Sequence, residues 1–145
     1  MTSVKEIRVR DFMVPKPVVF TRGMDLLDAV CVLIDRRISG APVVDDRGNL
    51  VGVLTERDFL RAVLVAGYHG EGGGCVEDYM TSDVRAVNAD DSLLDVAALF
   101  IETKHRRYPV MEDNRLVGLV ARRDVLRAVI DNLGTRKSGI RGSAD

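Results

Sequence analysis

Scarcity is the first thing this chain shows. Of its 145 residues only two are cysteine, Cys31 and Cys75. Two thiols so placed make no disulfide framework and match no metal-ligand spacing. Cys31 falls within an apolar helical stretch, where a buried thiol is expected, and free thiols fit a reducing cytoplasm. Histidine is equally rare: His69 stands in a glycine-rich stretch and His105 in a basic one, with no recognisable nucleophile–base pairing. No catalytic role is therefore expected. No apolar run approaches the roughly 20 residues that span a bilayer. No apolar segment follows the first residues as it would in a signal peptide, so neither a membrane span nor export is expected. An excess of one charge is missing too. With 21 basic residues against 22 acidic ones the net charge is −1, which offers no general attraction to nucleic acid or acidic membranes.

What the chain does have is a duplication. Residues 50–64 read Leu-Val-Gly-Val-Leu-Thr-Glu-Arg-Asp-Phe-Leu-Arg-Ala-Val-Leu, and residues 116–130 read Leu-Val-Gly-Leu-Val-Ala-Arg-Arg-Asp-Val-Leu-Arg-Ala-Val-Ile. The match extends upstream: Asp11 and Met13 correspond to Asp78 and Met80, and Pro42-Val43 to Pro109-Val110. The two copies cover residues 8–64 and 75–130, with a glycine-rich linker at 65–74 and a tail from 134 to 145 expected to be disordered. Each copy alone, at roughly 60 residues, would be marginal, so the copies are expected to stabilise each other. The register offset falls by one across the turn Asp45–Asn49, which becomes Glu112–Arg115. Polar turns between apolar runs are where hairpins tolerate a change of length.

Each copy reads as β-α-β-β-α behind a short helical turn that ends in Asp-aromatic-Met. Extended segments at 17–20 and 84–87 precede amphipathic helices over about 25–37 and 92–104, with Asp25 and Ser92 as N-caps. One face carries Leu26, Ala29, Val30, Leu33 and Ile34, and its counterpart Leu93, Val96, Ala97, Phe100 and Ile101. Hairpins follow at 41–44 with 50–54 and at 108–111 with 116–120. Closing helices then carry Phe59, Leu60 and Val63, or Val125, Leu126 and Val129.

Taken together, the Asp-x-Met openings, Gly40-Ala41-Pro42-Val43-Val44, and Gly52-Val53-Leu54-Thr55-Glu56-Arg57-Asp58 resemble a tandem pair of CBS domains, a Bateman module. The second motif, Gly118 to Asp124, departs from the family pattern only at Ala121, where a hydroxyl is usual. The resemblance implies an α+β fold of two β-α-β-β-α repeats packed through their sheets around a pseudo-two-fold axis. It also implies a homodimer and two clefts for AMP, ADP or ATP, with no cofactor required.

In the first cleft, Asp58 would accept both ribose hydroxyls and Thr55 would face a phosphate at a helix N-terminus. Val18, Val19, Gly40, Ala41 and Pro42 resemble the family's base-binding wall, with Gly40 and Ala41 small enough for backbone approach. Whatever their role, Val18 and Val19 are expected to be buried. Arg107 and then His105, in the basic run 104–107, are expected phosphate contacts for this cleft. Asp124, Arg123 and Tyr108 are the counterparts around the second cleft, where Tyr108 either stacks on a base or takes its place. On this reading the first cleft is the better site.

Plainer readings stand beside these. Thr55 can be an N-cap worth about 1 kcal/mol, Asp58 and Asp124 first-turn acids favoured by the helix dipole, and the basic run a solvated loop. The expected function is a stand-alone regulatory sensor of an adenine nucleotide. The alternative is a dimeric interaction scaffold with vestigial clefts. Any output would pass through an unidentified protein partner.

Overall fold

The computed structural model describes residues 6–66 and 74–133. Most of the expected linker, including His69, and the tail from 134 lie outside the described residues. The mixed α+β character and the duplicated element order are both present. The first repeat contributes α1 (Val9–Phe12), β1 (Val14–Pro15), β2 (Phe20–Thr21), α2 (Leu26–Arg36), β3 (Gly40–Val44), β4 (Leu50–Thr55) and α3 (Glu56–Ala66). The second contributes α4 (Val76–Tyr79), β5 (Val87–Asn88), α5 (Leu93–Glu102), β6 (Arg107–Glu112), β7 (Arg115–Ala121) and α6 (Arg122–Leu133). Asp25 caps α2 through the Asp28 N–H at 3.1 Å, and Ser92 caps α5 through the Asp95 N–H at 3.1 Å.

Two compact units result, and the chain is divided between them in an exchanged manner. One unit is Lys16–Arg85 with Asp113–Leu116; the other is Met1–Pro15, Ala86–Glu112 and Val117–Asp145. The opening helix of each repeat thus folds into the unit built on the other repeat. In the first unit Phe20, Leu26, Ala29, Leu33, Val43 and Leu54 form a core that is completed by Val76 from α4. Its sheet runs β2-β3-β4, parallel then antiparallel. In the second unit Leu93, Val96, Phe100, Tyr108, Val110 and Val120 form the core, completed by Val9 from α1. Its sheet runs β1-β7-β6-β5.

Backbone bonds hold the exchanged helices in matching ways. Val76 N–H donates to Met24 O at 2.8 Å and Leu26 N–H to Gly74 O at 3.2 Å. In the other unit Val9 N–H donates to Asp91 O and Leu93 N–H to Ile7 O, each at 2.9 Å. The Asp-x-Met signature acquires a structural reason here. Asp11 and Asp78 accept the N–H groups of Arg8 and Cys75, at 2.9 and 3.0 Å, closing one-turn helices. Met80 lies over Gly52 and Met13 over Gly118, each leaving no room for a Cβ.

The dropped turn residue also has an explanation. In the first hairpin Asp45 accepts from the N–H groups of Arg47 and Asn49, and Gly48 takes φ 83°. In the second, Asp113 and Asn114 both take positive φ, 51° and 64°, the pattern of a tight two-residue turn.

Several apolar expectations need correction. Cys31 is exposed, not buried. It lies two residues from both Ala29 and Leu33, about 200° round a helix of 3.6 residues per turn. Ile34 and Ile101, one step beyond the buried Leu33 and Phe100, are exposed as well, as are Leu60 and Leu126. Cys75 is only partly covered, yet burial and then the hydrogen bond and charge of Asp78 push its thiol pKa up. Thiolate is the reactive form. Iodoacetamide at pH 8 is therefore expected to label Cys31 well before Cys75, with peptide mass spectrometry as the readout. Equal rates would contradict the described environments.

Candidate functional site

The N-terminus of α3 is a closed knot of hydrogen bonds. Register places Thr55 opposite Gly40 across the β3–β4 pair. The Thr55 N–H donates to Asp58 Oδ2 at 2.9 Å, and the Asp58 N–H donates to Thr55 Oγ1 at 3.2 Å. This is a reciprocal capping box. The Thr55 hydroxyl also donates to Asp58 Oδ2 at 3.0 Å. Asp58 Oδ1 accepts from the Thr81 hydroxyl at 3.1 Å and from Arg61 at 3.4 Å. Asp58 itself is 6% exposed.

Thr81 was not legible as a site residue. It stands directly after Met80 and exchanges backbone bonds with Val53, both at 2.9 Å, which sets its hydroxyl beside Asp58. The usable signal was the duplication, because the residue after Met13 is Val14.

The N-terminus of α6 keeps half of this arrangement. Ala121 N–H donates to Asp124 Oδ2 at 2.8 Å and Arg127 to Oδ1 at 3.1 Å. Ala121 has no hydroxyl to return a cap, and Val14, paired with Leu119, has none to donate. Asp124 is 7% exposed.

The proposed base wall lies partly open. Val18 is half-buried against the first core, whereas Val19 is 41% exposed, which corrects the expectation that both valines are buried. Its neighbour Phe20 pairs with β3 and turns inward, so alternation turns Val19 outward. Gly40, Ala41 and Pro42 are all buried. The space beside Gly40 is taken by the Thr55 methyl, 3.0 Å from where a Cβ would stand, rather than left for a ligand.

Tyr108 is fully buried among Phe100 and its neighbours, and its hydroxyl is hydrogen-bonded to Thr103. That position removes it as a stacking surface for a base. His105 is exposed, with its ring 5.2 Å from that of Tyr108. Arg107 opens β6 half-buried, and Arg122 and Arg123 are exposed in the first turn of α6. Among the described residues no group of three His, Cys, Asp or Glu side chains is placed to hold a metal. Among them, too, no helix is long and apolar enough to cross a membrane.

A duplicated α+β unit with a buried acid at the start of each closing helix defines a class of paired-repeat proteins. The CBS domain model matches residues 9–65 and 76–131, and the chain belongs to that family. It is 31% identical over 119 residues to the uncharacterized protein MJ1225 of Methanocaldococcus jannaschii, covering 82% of this chain and 41% of that one. It is 30% identical over 150 residues to the chloroplastic CBS domain-containing protein CBSX2 of Arabidopsis thaliana, covering 84% and 63%. The chain thus spans less than two thirds of either relative. The crystal structure of CBSX2 in complex with AMP superposes with a TM-score of 0.77 at 33% identity, over 88% of this chain and 98% of that one. The CBS domain pair of protein MJ0100, in complex with 5′-methylthioadenosine and S-adenosyl-L-methionine, gives 0.72 at 26% identity, over 86% and 97%.

Proposed function

We propose that this chain is a regulatory module that binds an adenosine ligand, AMP, ADP or ATP in the first instance, and transmits its presence without chemistry. The observation that carries this reading is the buried carboxylate at the first turn of both α3 and α6, Asp58 and Asp124. A carboxylate accepts two ribose hydroxyls through charge-assisted bonds, and the adjoining helix start favours a phosphate. The ligands named for CBSX2 and the MJ0100 pair have adenosine in common, which supports recognition of base and sugar ahead of any phosphate count. In this reading Val18 and Val19 border the base, and Thr55 and the α3 N-terminus meet the phosphate.

Thermal melts with and without AMP, ADP, ATP and S-adenosylmethionine test it. A ligand at a hundredfold excess over its Kd is expected to add about 2.7 kcal/mol of stability, with ATP recovered intact. No shift with any of the four, confirmed by calorimetry, would end the reading.

The proposal includes a homodimer. On α2 and α3 the side chains of Ile34, Leu60 and Leu64 are exposed, and on α5 and α6 those of Ile101, Leu126 and Ile130. Leu64 at 84% and Ile101 at 86% exposure are the extremes. Large exposed apolar side chains on helices that pack in pairs, α2 with α3 and α5 with α6, are candidate association surfaces. Sedimentation is expected to show a wild-type dimer and to show monomers for Leu64→Glu combined with Ile101→Glu, with the cooperative melt retained. A monomeric wild type at micromolar concentration would remove the dimer from the proposal.

A further inference from the structure

The two opening helices are nearly interchangeable, and so are the seats that receive them. α1 reads Val9-Arg10-Asp11-Phe12 and α4 reads Val76-Glu77-Asp78-Tyr79. Each is followed by a methionine, Met13 or Met80, lying over a glycine. Val9 and Val76 are both fully buried. The backbone bonds correspond as well: Arg10 N–H donates to Ala89 O and Glu77 N–H to Arg22 O, each at 3.0 Å. Buried valines and backbone geometry therefore cannot tell one helix from the other. Charge can, because Arg10 and Glu77 hold equivalent positions with opposite sign.

The seats are charged to match. In the unit built on the second repeat, Arg10 pairs with Glu112 at 2.6 Å and also with Asp90. In the other unit the counterpart of Asp90 is Gly23, and that of Glu112 is Asp45. Asp45 is engaged by the N–H groups of Arg47 and Asn49 and by the Asn49 side chain. The residue before Gly23 is an exposed cation, Arg22. Were each repeat to close on its own opening helix, Glu77 would stand beside Asp90 and Glu112. Arg10 would lose both acids and stand beside Arg22. Partly exposed ion pairs are individually weak. Discrimination is a difference between two seatings, however, and here repulsion at one is set against attraction at the other.

We propose that Arg10, Asp90 and Glu112, set against Glu77 and Arg22, form a charge code that assigns α1 to the second repeat and α4 to the first. Each seat fits a one-turn helix of one sign, cationic beside Asp90 and Glu112 and anionic beside Arg22. The assignment is independent of any ligand.

Disulfide trapping in the full chain tests it. Asp25 and Cys75 face each other across an antiparallel bridge, as do Arg8 and Ser92. Each pair lies between backbone bonds rather than sharing them, a geometry that sets Cα atoms about 4.5 Å apart, within disulfide reach. In a chain carrying Cys31→Ser, Asp25→Cys and Ser92→Cys, Cys75 therefore meets position 25 in the observed assignment and position 92 in the self-closed one. The chain is refolded under reduction and oxidised with diamide, and peptide mass spectrometry of the monomer band gives the ratio of the two disulfides. With native charges the bond to position 25 is expected to dominate. Adding Arg10→Glu and Glu77→Arg is expected to raise the share of the bond to position 92 by about tenfold or more. An unchanged ratio would overturn the code, as would a chain with native charges that joins Cys75 mainly to position 92. A second measurement serves if the exchanged chain does not fold. Arg10→Glu alone is expected to lower the melting midpoint by about 3 °C or more, and adding Asp90→Arg with Glu112→Arg to restore most of that loss. No restoration would equally overturn it.

Discussion

Adding a single methyl group at Gly118 or Gly52 is expected to cost about 3 kcal/mol, overpacking that a close-packed interior cannot absorb. A Cβ on Gly118 would stand 2.6 Å from the Met13 sulfur and 2.8 Å from the Val14 carbonyl oxygen. On Gly52 the same atom would meet the Met80 sulfur at 2.6 Å and the Thr81 carbonyl oxygen at 2.9 Å. A methionine can swing aside; a backbone carbonyl cannot move without its strand. At Gly52 that carbonyl accepts from Val53 N–H, and Thr81 N–H donates to Val53 O, so displacement also strains two backbone hydrogen bonds. The melting midpoint of Gly52→Ala or Gly118→Ala is expected to fall by on the order of 10 °C. Gly23→Ala is the control, because nothing lies within 4 Å of its would-be Cβ. Restricting the unfolded chain there is expected to leave stability level or slightly higher. If Gly52→Ala and Gly23→Ala melted together, the close approach of Met80 and Thr81 would be refuted.

Tyr108 is expected to produce the other large effect. Its side chain is wholly buried, with the Phe100 ring 5.0 Å away between centroids. Tyr108→Ala would leave a ring-sized cavity and is expected to cost about 3–5 kcal/mol, as other aromatic truncations do. Tyr108→Phe keeps the ring and loses the hydroxyl's bonds to His105 Nδ1, at 3.5 Å, and to the Thr103 hydroxyl, which still donates to Leu99 O at 3.0 Å. A loss of about 1 kcal/mol is expected for that variant. Urea unfolding with both variants separates the two contributions. A Tyr108→Ala protein within 1 kcal/mol of wild type would mean that the ring faces solvent, as a stacking residue would.

The duplication made the element order, both hairpins and both helix caps legible, since each rests on contacts between residues a few positions apart. Asp25 and Ser92 cap three residues on, and Asp45 reaches only four residues on, to Asn49. What stayed hidden depends on longer reach. Nothing local says that α1 completes the core around Phe100 while α4 completes the one around Leu33. Thr81 reaches Asp58 across 23 positions, and no periodicity announces it. Helical spacing told which residues share a face but not how wide the covered face would be, so Ile34 and Ile101 lie just past its edge. The sequence left two roles open for Tyr108, stacking on a base or taking its place, and burial removes the first. At the position of Ala41 a large ring suggested a changed pocket, whereas the ring is absorbed by the core of its own unit.

The exchanged opening helices carry a consequence for the origin and handling of such chains. A single repeat synthesised by itself would bear a helix with no home and a core missing its last side chain. Two separate copies would each have to borrow from the other, an encounter that depends on dilution. Fusing them end to end turns that second-order meeting into an internal one, at an effective concentration on the order of millimolar.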